Sequence, residues 1–450
     1  MIADDHRFDG IGAYGNTVVS TPVLDRLAAE GVLFRSIYIM GGQNAAVCVP
    51  SRASLLTSAN SFRATDSRTV SLSETENKDL WNLSPGLAAF PEVFRKAGYR
   101  TFGIGKWHNG KESFARSFSG GANIFFGGMG EHVGLLVRPY DPDGLFPDEA
   151  AFPSDKFSSE LFADSAVDFI EGYGEGLGED EPFLLYVAFT SPHDPRTPPP
   201  AYSQLYRAED IPLPDNFVER HPFDNGELDV RDELLAPLPR TPDAIRRHLA
   251  DYYGMISHMD AQIDRIWQAL RESGRDRNTI VVYTADHGLA LGQHGLMGKQ
   301  NLYEHSIHIP LIVSGAGLPQ GEQVGGLGCQ IDIFPTLCDL AGVPAPGSIE
   351  GRSLAPLIFR DQEKVREYAF AVYKDIQRMV SDGHWKLIRY YRSGGAGSDR
   401  VQLFDLRNDP WETRDLHGEE GYQEHVERLQ DALLQWQKEI QDPIFVKMNA

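Results

Sequence analysis

The sequence predicts an α/β protein. It should hold a large, doubly wound, mostly parallel sheet flanked by helices, then a smaller C-terminal α+β part with an antiparallel sheet and a helix. Three observations carry this. Short apolar runs at 101–104, 183–189, 279–283 and 310–313 alternate with helical patterns, as buried parallel strands do. Three runs end in polar clusters, Gly105-Lys106-Trp107-His108, Ser191-Pro192-His193-Asp194 and Ala285-Asp286-His287. Open α/β sheets bind ligands beyond such carboxyl ends. After about Gly351 the text changes to short strands between Gly, Asp and Ser turns. With 450 residues there is length for two domains, expected at 1–355 and 356–450.

Taken in order, Met1-Ile2-Ala3 reads as the tail of a strand that begins before this sequence and ends at Asp4-Asp5. Thr21 is the expected N-cap of a helix with Pro22 at its first position, and Gly31 follows it. Residues 60–90 are polar and irregular, and a short helix runs from Pro91 to Gly98. Residues 110–155, rich in Gly, Phe, Pro and Asp, read as an insertion or long loop of the kind that carries substrate contacts. A helix is expected over 155–171, then a turn from Gly172 to Asp180, and a Pro-rich passage over 192–242. From 243 to 273, Ile245, Leu249, Tyr252, Ile256, Met259, Ile263, Ile266 and Leu270 repeat as one long amphipathic helix. The last part predicts strands at 368–373, 378–381, 385–391 and 401–405 and a helix over 422–441.

Composition narrows the partners. Net charge is −22, from 42 basic and 64 acidic residues. Such a surface disfavours nucleic acid and anionic membranes, so any anion must be held by a local basic pocket. No apolar run is long enough to span a bilayer. Three cysteines are too few for a disulfide framework, and Cys329 and Cys338 read as reduced core residues. No signal peptide is present in this text. The expected location is periplasmic or secreted if one lies upstream, and cytoplasmic otherwise.

Gly41 and Gly42 lead into Cys48-Val49-Pro50-Ser51-Arg52 and on through Ala53-Ser54-Leu55-Leu56-Thr57, a loop running into a helix. Pro50 suits a first helical turn. Cys48 and Arg52 stand four apart and share one side of that turn. A helix N-terminus with an arginine is an anion site, and a cysteine there is a nucleophile, although a small buried cysteine fits the same pattern. Asp4, Asp5 and Asp286 offer hard oxygen ligands suited to Ca²⁺ or Mg²⁺. His108 and His193 are proton-transfer types at matching strand ends.

The pentapeptide from Cys48 to Arg52 resembles the sulfatase signature C-x-P-S-R. Ala3-Asp4-Asp5, Thr21-Pro22 with Asp25-Arg26-Leu27-Ala28, Gly105-Lys106-Trp107-His108, Asp286-His287-Gly288 and Arg407-Asn408-Asp409-Pro410-Trp411-Glu412 resemble the same family in order. The resemblance runs over nearly the whole chain. It implies that a formylglycine-generating enzyme oxidises Cys48 to formylglycine, whose hydrate is the nucleophile. It implies Ca²⁺, with Mg²⁺ as the other option, held by Asp4, Asp5, Asp286, His287 and the modified Cys48. Arg52, Lys106 and Lys299 would neutralise the sulfate. One hydroxyl of the hydrate attacks sulfur, His193 or Lys299 protonates the departing alcohol, and His108 takes the second hydroxyl's proton. His308 stands where many relatives carry arginine and is left out of the site. The stretches Asn123-Ile124-Phe125-Phe126-Gly127-Gly128-Met129 and Gly298 to His305 look closest to bacterial enzymes acting on sulfated polysaccharide fragments. Tyr140, Arg196 and His132 are candidate sugar contacts, although residues of a plain surface loop fit the same pattern better. The rival readings are a phosphonate or phosphodiester hydrolase of the same alkaline-phosphatase superfamily, and a glycan-binding pseudoenzyme.

Overall fold

The computed structural model describes residues 1–65, 82–173 and 181–449; the expected turn over 172–180 and the polar passage over 60–90 therefore lie partly outside the described residues. The large sheet contains β1 (Ile2–Ala3), β2 (Gly31–Tyr38), β4 (Arg100–Lys106), β5 (Gly120–Phe125) and β8 (Phe183–Ala188). It continues with β9 (Ile280–Ala285), β10 (His308–Gly315), β11 (Glu322–Val324) and β12 (Gly328–Cys329). Its order is β11-β2-β10-β9-β1-β8-β4-β5, with β12 also on β2. β10 runs antiparallel to both neighbours, and every other pair is parallel.

A second sheet joins β3 (Gly41–Gly42) to β13 (Ala369–Tyr373), β14 (Gln377–Ser381), β15 (Trp385–Tyr390) and β16 (Arg400–Asp405). The four late strands form an antiparallel meander, and β3 adds parallel to β13. A small hairpin pairs β6 (Leu136–Val137) with β7 (Phe152–Pro153).

The long helix Pro242–Glu272 follows its apolar repeat, and all eight residues named above are buried. Thr241 caps it by accepting from Ala244 N at 3.3 Å. The helices Ser158–Glu171 and Gln423–Glu439 also stand where periodicity put them. Cys329 and Cys338 are free and buried.

Two expectations need correction. Residues 110–155 are not one long loop: they contain the helix Lys111–Ser117 and β5, which extends the large sheet. β5 reads Gly-Gly-Ala-Asn-Ile-Phe, and its glycines hid it. They are tolerated because neighbouring atoms already fill that space; a Cβ on Gly120 would meet Phe102 at 2.9 Å and one on Gly121 would meet Gly103 O at 2.7 Å. The second correction concerns Thr21, which stands at the N-cap position before Pro22 but makes no side-chain cap bond. Its hydroxyl accepts from Gly12 N at 2.9 Å and donates to Asp25 at 3.2 Å. The helix Pro22–Ala29 takes its cap from afar, with Val23 N and Leu24 N donating to Asp260 at 3.0 and 2.9 Å.

Candidate active site

β4, β8, β1 and β9 lie side by side and parallel, so their carboxyl ends open on one edge of the sheet. Asp4 and Asp5 follow β1, Lys106 closes β4 with His108 just beyond, His193 follows β8, and Asp286-His287 follow β9. The helix Cys48–Thr57 brings its first residue to the same place. Its approach is set by β3, where Val372 N donates to Met40 O at 2.8 Å and Lys374 N to Gly42 O at 3.0 Å. Gly41 has φ +71°, and a Cβ there would sit 2.3 Å from Val372 O, so only glycine fits. Gly105 plays the same part in β4. The register slips between Ile104 and Gly105, φ is +81°, and a Cβ would lie 2.1 Å from Ala188 O. That bulge re-aims the strand's last side chain, Lys106.

The charged side chains are buried and interlocked. Lys106 Nζ donates to Asp4 Oδ2 at 2.5 Å, and Lys299 Nζ donates to Asp5 Oδ1 at 2.8 Å and approaches His193 Nε2 at 3.1 Å. Arg52 lies behind the carboxylates, giving Nε to Asp286 Oδ2 at 2.8 Å and Nη1 to Lys106 O at 2.9 Å. His287 Nδ1 stands 3.1 Å from Asp5 Oδ1, and Cys48 Sγ is 3.3 Å from His108 Nδ1. Ligand atoms of Asp4, Cys48, Asp286 and His287 all lie within 4.8 Å of one another, as do those of Asp4, Asp5 and His193. Asp4 Oδ1 and His287 Nε2 are buried with no hydrogen-bond partner among the described residues. Three buried carboxylates, one with an orphaned oxygen, suit a hard divalent cation.

Electrostatics follow from this crowding. Burial alone would raise the Asp5 and Asp286 carboxyls. His193, Lys299 and His287 outweigh it at Asp5; His287, Arg52 and Lys106 do so at Asp286, so both are held below the usual range. Burial, then Lys106 and Arg52, press His108 well below its ordinary value, so its imidazole is neutral. Asp5 and His108 also take left-handed φ of 65° and 64°, strain of about 1–3 kcal/mol each that the surrounding packing sustains.

All ten site residues from the sequence therefore converge. Of the candidate sugar contacts, His132 and Tyr140 give their polar atoms to protein partners, and Arg196 lies beside the site's Tyr252 and Asp194. His132 is 1% exposed and lies under the site, with Nε2 3.1 Å from His193 O and Nδ1 2.8 Å from Ser158 Oγ. Tyr140 spends its hydroxyl on Phe118 O at 3.0 Å, and Arg196 rests 5.9 Å from the Tyr252 ring centre. Supports that sequence reasoning missed include Tyr252, whose hydroxyl donates to Asp5 O at 2.7 Å, and Gln330, which donates to Ala285 O at 3.1 Å. Each is a single polar residue with no motif around it.

Comparison with known proteins bears on this geometry. The family model described as "Sulfatase" matches residues 1–343. The chain belongs to the sulfatase family. This sulfatase is a sulfuric ester hydrolase, and its residues 292–439 match a second model, "N-sulphoglucosamine sulphohydrolase, C-terminal". It is 28% identical to an arylsulfatase of Clostridium perfringens, covering 96% of this chain and 92% of that one. It is 24% identical to an N-acetylglucosamine-6-O-sulfatase of Bacteroides thetaiotaomicron, covering 98% and 86%. Among solved structures, one in complex with its substrate D-glucosamine-2-N,6-O-disulfate superposes with a TM-score of 0.78 at 23% identity, over 98% and 97% of the two chains. The phosphonate monoester hydrolase of Agrobacterium radiobacter superposes at 0.73 with 22% identity, over 97% and 94%. At these identities the structural likenesses speak for the sulfatase fold alone.

Proposed function

We propose that this sulfatase hydrolyses sulfate esters of sulfated saccharides, using a formylglycine made from Cys48 by a maturation enzyme and a Ca²⁺ ion. One observation carries the reading. Cys48, His108, two lysines and three buried carboxylates with an unsatisfied oxygen share one strand-end pocket. Asp4, Asp5, Asp286 and His287 would hold the cation, which when bound supplies Lewis-acid polarisation of a sulfate oxygen. The hydrated aldehyde supplies the attacking hydroxyl that a thiol lacks.

The chain's own residues do the rest. His108 Nδ1, 3.3 Å from Cys48 Sγ, is placed to take a proton from the atom that replaces sulfur. Lys106 and Lys299 put positive charge where the sulfate oxygens would lie. Arg52 fixes Asp286 through Nε at 2.8 Å and adds a further positive charge beside the carboxylates. His193 Nδ1 faces Asp194 O at 2.7 Å, so it carries a hydrogen, and its Nε2 accepts from Lys299, which can only donate. When the S–O bond to the sugar breaks, its electron pair stays on the sugar oxygen and the Lys299–His193 pair delivers the proton.

The test is the mass of the Cys48 peptide from protein made with a formylglycine-generating enzyme, followed by sulfate release from sulfated amino sugars. Aldehyde together with sulfate release is expected, with Cys48→Ala costing at least about 10³-fold in kcat/KM. Faster turnover of aryl phosphonates than of aryl sulfates, or thiol alone in a folded protein, would overturn it.

A further inference from the structure

The two proton-donor residues sit on separate loops, and something must set their spacing. Arg231-Asp232-Glu233, in the Pro-rich passage between β8 and the long helix, reaches both. Arg231 Nη2 pairs with Asp194, next to His193, and its Nη1 pairs with Asp232 at 3.2 Å. Asp232 Oδ2 accepts from Gln300 Nε2 at 2.8 Å, and Gln300 Oε1 in turn accepts from Lys299 N at 3.0 Å. Glu233 accepts from Met297 N and Gly298 N at 3.0 and 2.8 Å. The links form a closed ring: His193 to Asp194, Arg231, Asp232, Gln300 and Lys299, then back to His193 Nε2. Gln300 Nε2 also reaches Ala45 O at 3.0 Å, three residues before Cys48. Within the ring Asp194 is buried at 6% exposure, whereas the Arg231 side chain is 47% exposed, more than a packing role needs.

We propose that Arg231 is a positioning residue that clamps the His193 turn to the Lys299 loop and so aims the proton at the leaving oxygen. This rests on the reading of Lys299–His193 as the donor pair. A neutralised, half-exposed guanidinium between two carboxylates adds little stability, since its pairs are partly solvated. Its geometry matters more, because a misplacement of about 1 Å at a reacting centre costs about 10²-fold.

The experiment compares aldehyde-bearing wild type with R231M, R231K, H193A and K299A on 4-nitrophenyl sulfate and phenyl sulfate. The poorer leaving group needs the proton more. R231M is expected to lose about tenfold or more on phenyl sulfate relative to 4-nitrophenyl sulfate, with R231K in between. Its melting temperature should stay near wild type, while amide exchange speeds up at 190–196 and 297–301 together. Equal losses on both esters, no loss, or unchanged exchange would overturn the clamp. H193A and K299A separate the two readings. If neither shows a leaving-group effect, the donor assignment fails; if they do and R231M does not, the clamp alone fails.

Discussion

At the scale of the residue, the site is a set of charges that water could not hold in place. Asp4, Asp5 and Asp286 are each no more than 1% exposed, and each is paired with a buried lysine or arginine. The orphaned Asp4 Oδ1 sets a prediction about metal removal. After chelation, adding Ca²⁺ to about a hundred times its Kd should stabilise the fold by about 2.7 kcal/mol, read as a rise in Tm. D4N and D286N should lose that rise, and a wild type that responds to neither Ca²⁺ nor Mg²⁺ would rule out the cation site. These residues were legible because each falls at the end of an apolar run or in a tight local motif. His132 is neither the sugar contact nor the surface-loop residue that its local sequence suggests, for a physical reason: a histidine in a Gly-rich, Asp-rich passage looks exposed, and nothing local shows that it packs flat on Phe157 at 4.9 Å. Arg231-Asp232-Glu233 could not be found at all, because its partners around the His193 turn and the Lys299 loop lie 37 to 68 positions away.

Among the elements, the long helix and the late meander were legible from periodicity, whereas the seam between the two sheets was not. Lys386, on β15, is fully buried between Glu304 and Glu412, at 2.9 and 2.7 Å. Tyr38 on β2 donates to Glu304 at 3.0 Å, and Glu304 N donates to Glu412 at 2.7 Å. The cluster therefore fastens the meander to the large sheet through one ammonium. K386M removes the ammonium shared by two buried carboxylates, leaving Glu412 without its cation, and should cost about 3–5 kcal/mol in urea unfolding. A K386M/E304Q/E412Q variant should recover part of that loss. If K386M is as stable as wild type, the seam is held by apolar contact alone. No local pattern reveals such a cluster, since its members come from elements far apart in sequence.

For the whole molecule, buried imidazoles set an acid limit. Burial, and then Arg7, lower His6 to about 4; it is neutral between Tyr283 Oη at 2.6 Å and Gly10 O at 3.0 Å. Burial likewise takes His132 to about 4. A folded pKa below the unfolded value means that the unfolded chain binds the proton first. The stability is therefore full above about 6.5 and drains as pH falls toward 4. Each such histidine should cost about 2 kcal/mol between pH 7 and pH 5. In H6Q, whose amide can both donate and accept, urea unfolding should show a shallower decline over that interval. An unchanged slope would remove His6 from the account.

The pairing of β3 with β13 has a consequence for how the protein is made. Gly41 meets its partner Val372 about 330 residues later, and in the finished fold Cys48 is only 2% exposed. A ribosome adding roughly 5–20 residues each second leaves the nascent nucleophile loop unclasped for some tens of seconds before the late strand emerges. On the proposed chemistry, oxidation of Cys48 belongs to that interval, when the thiol can still be reached from outside. Folding order then acts as a timer on maturation, and the arrival of β13 shuts the window.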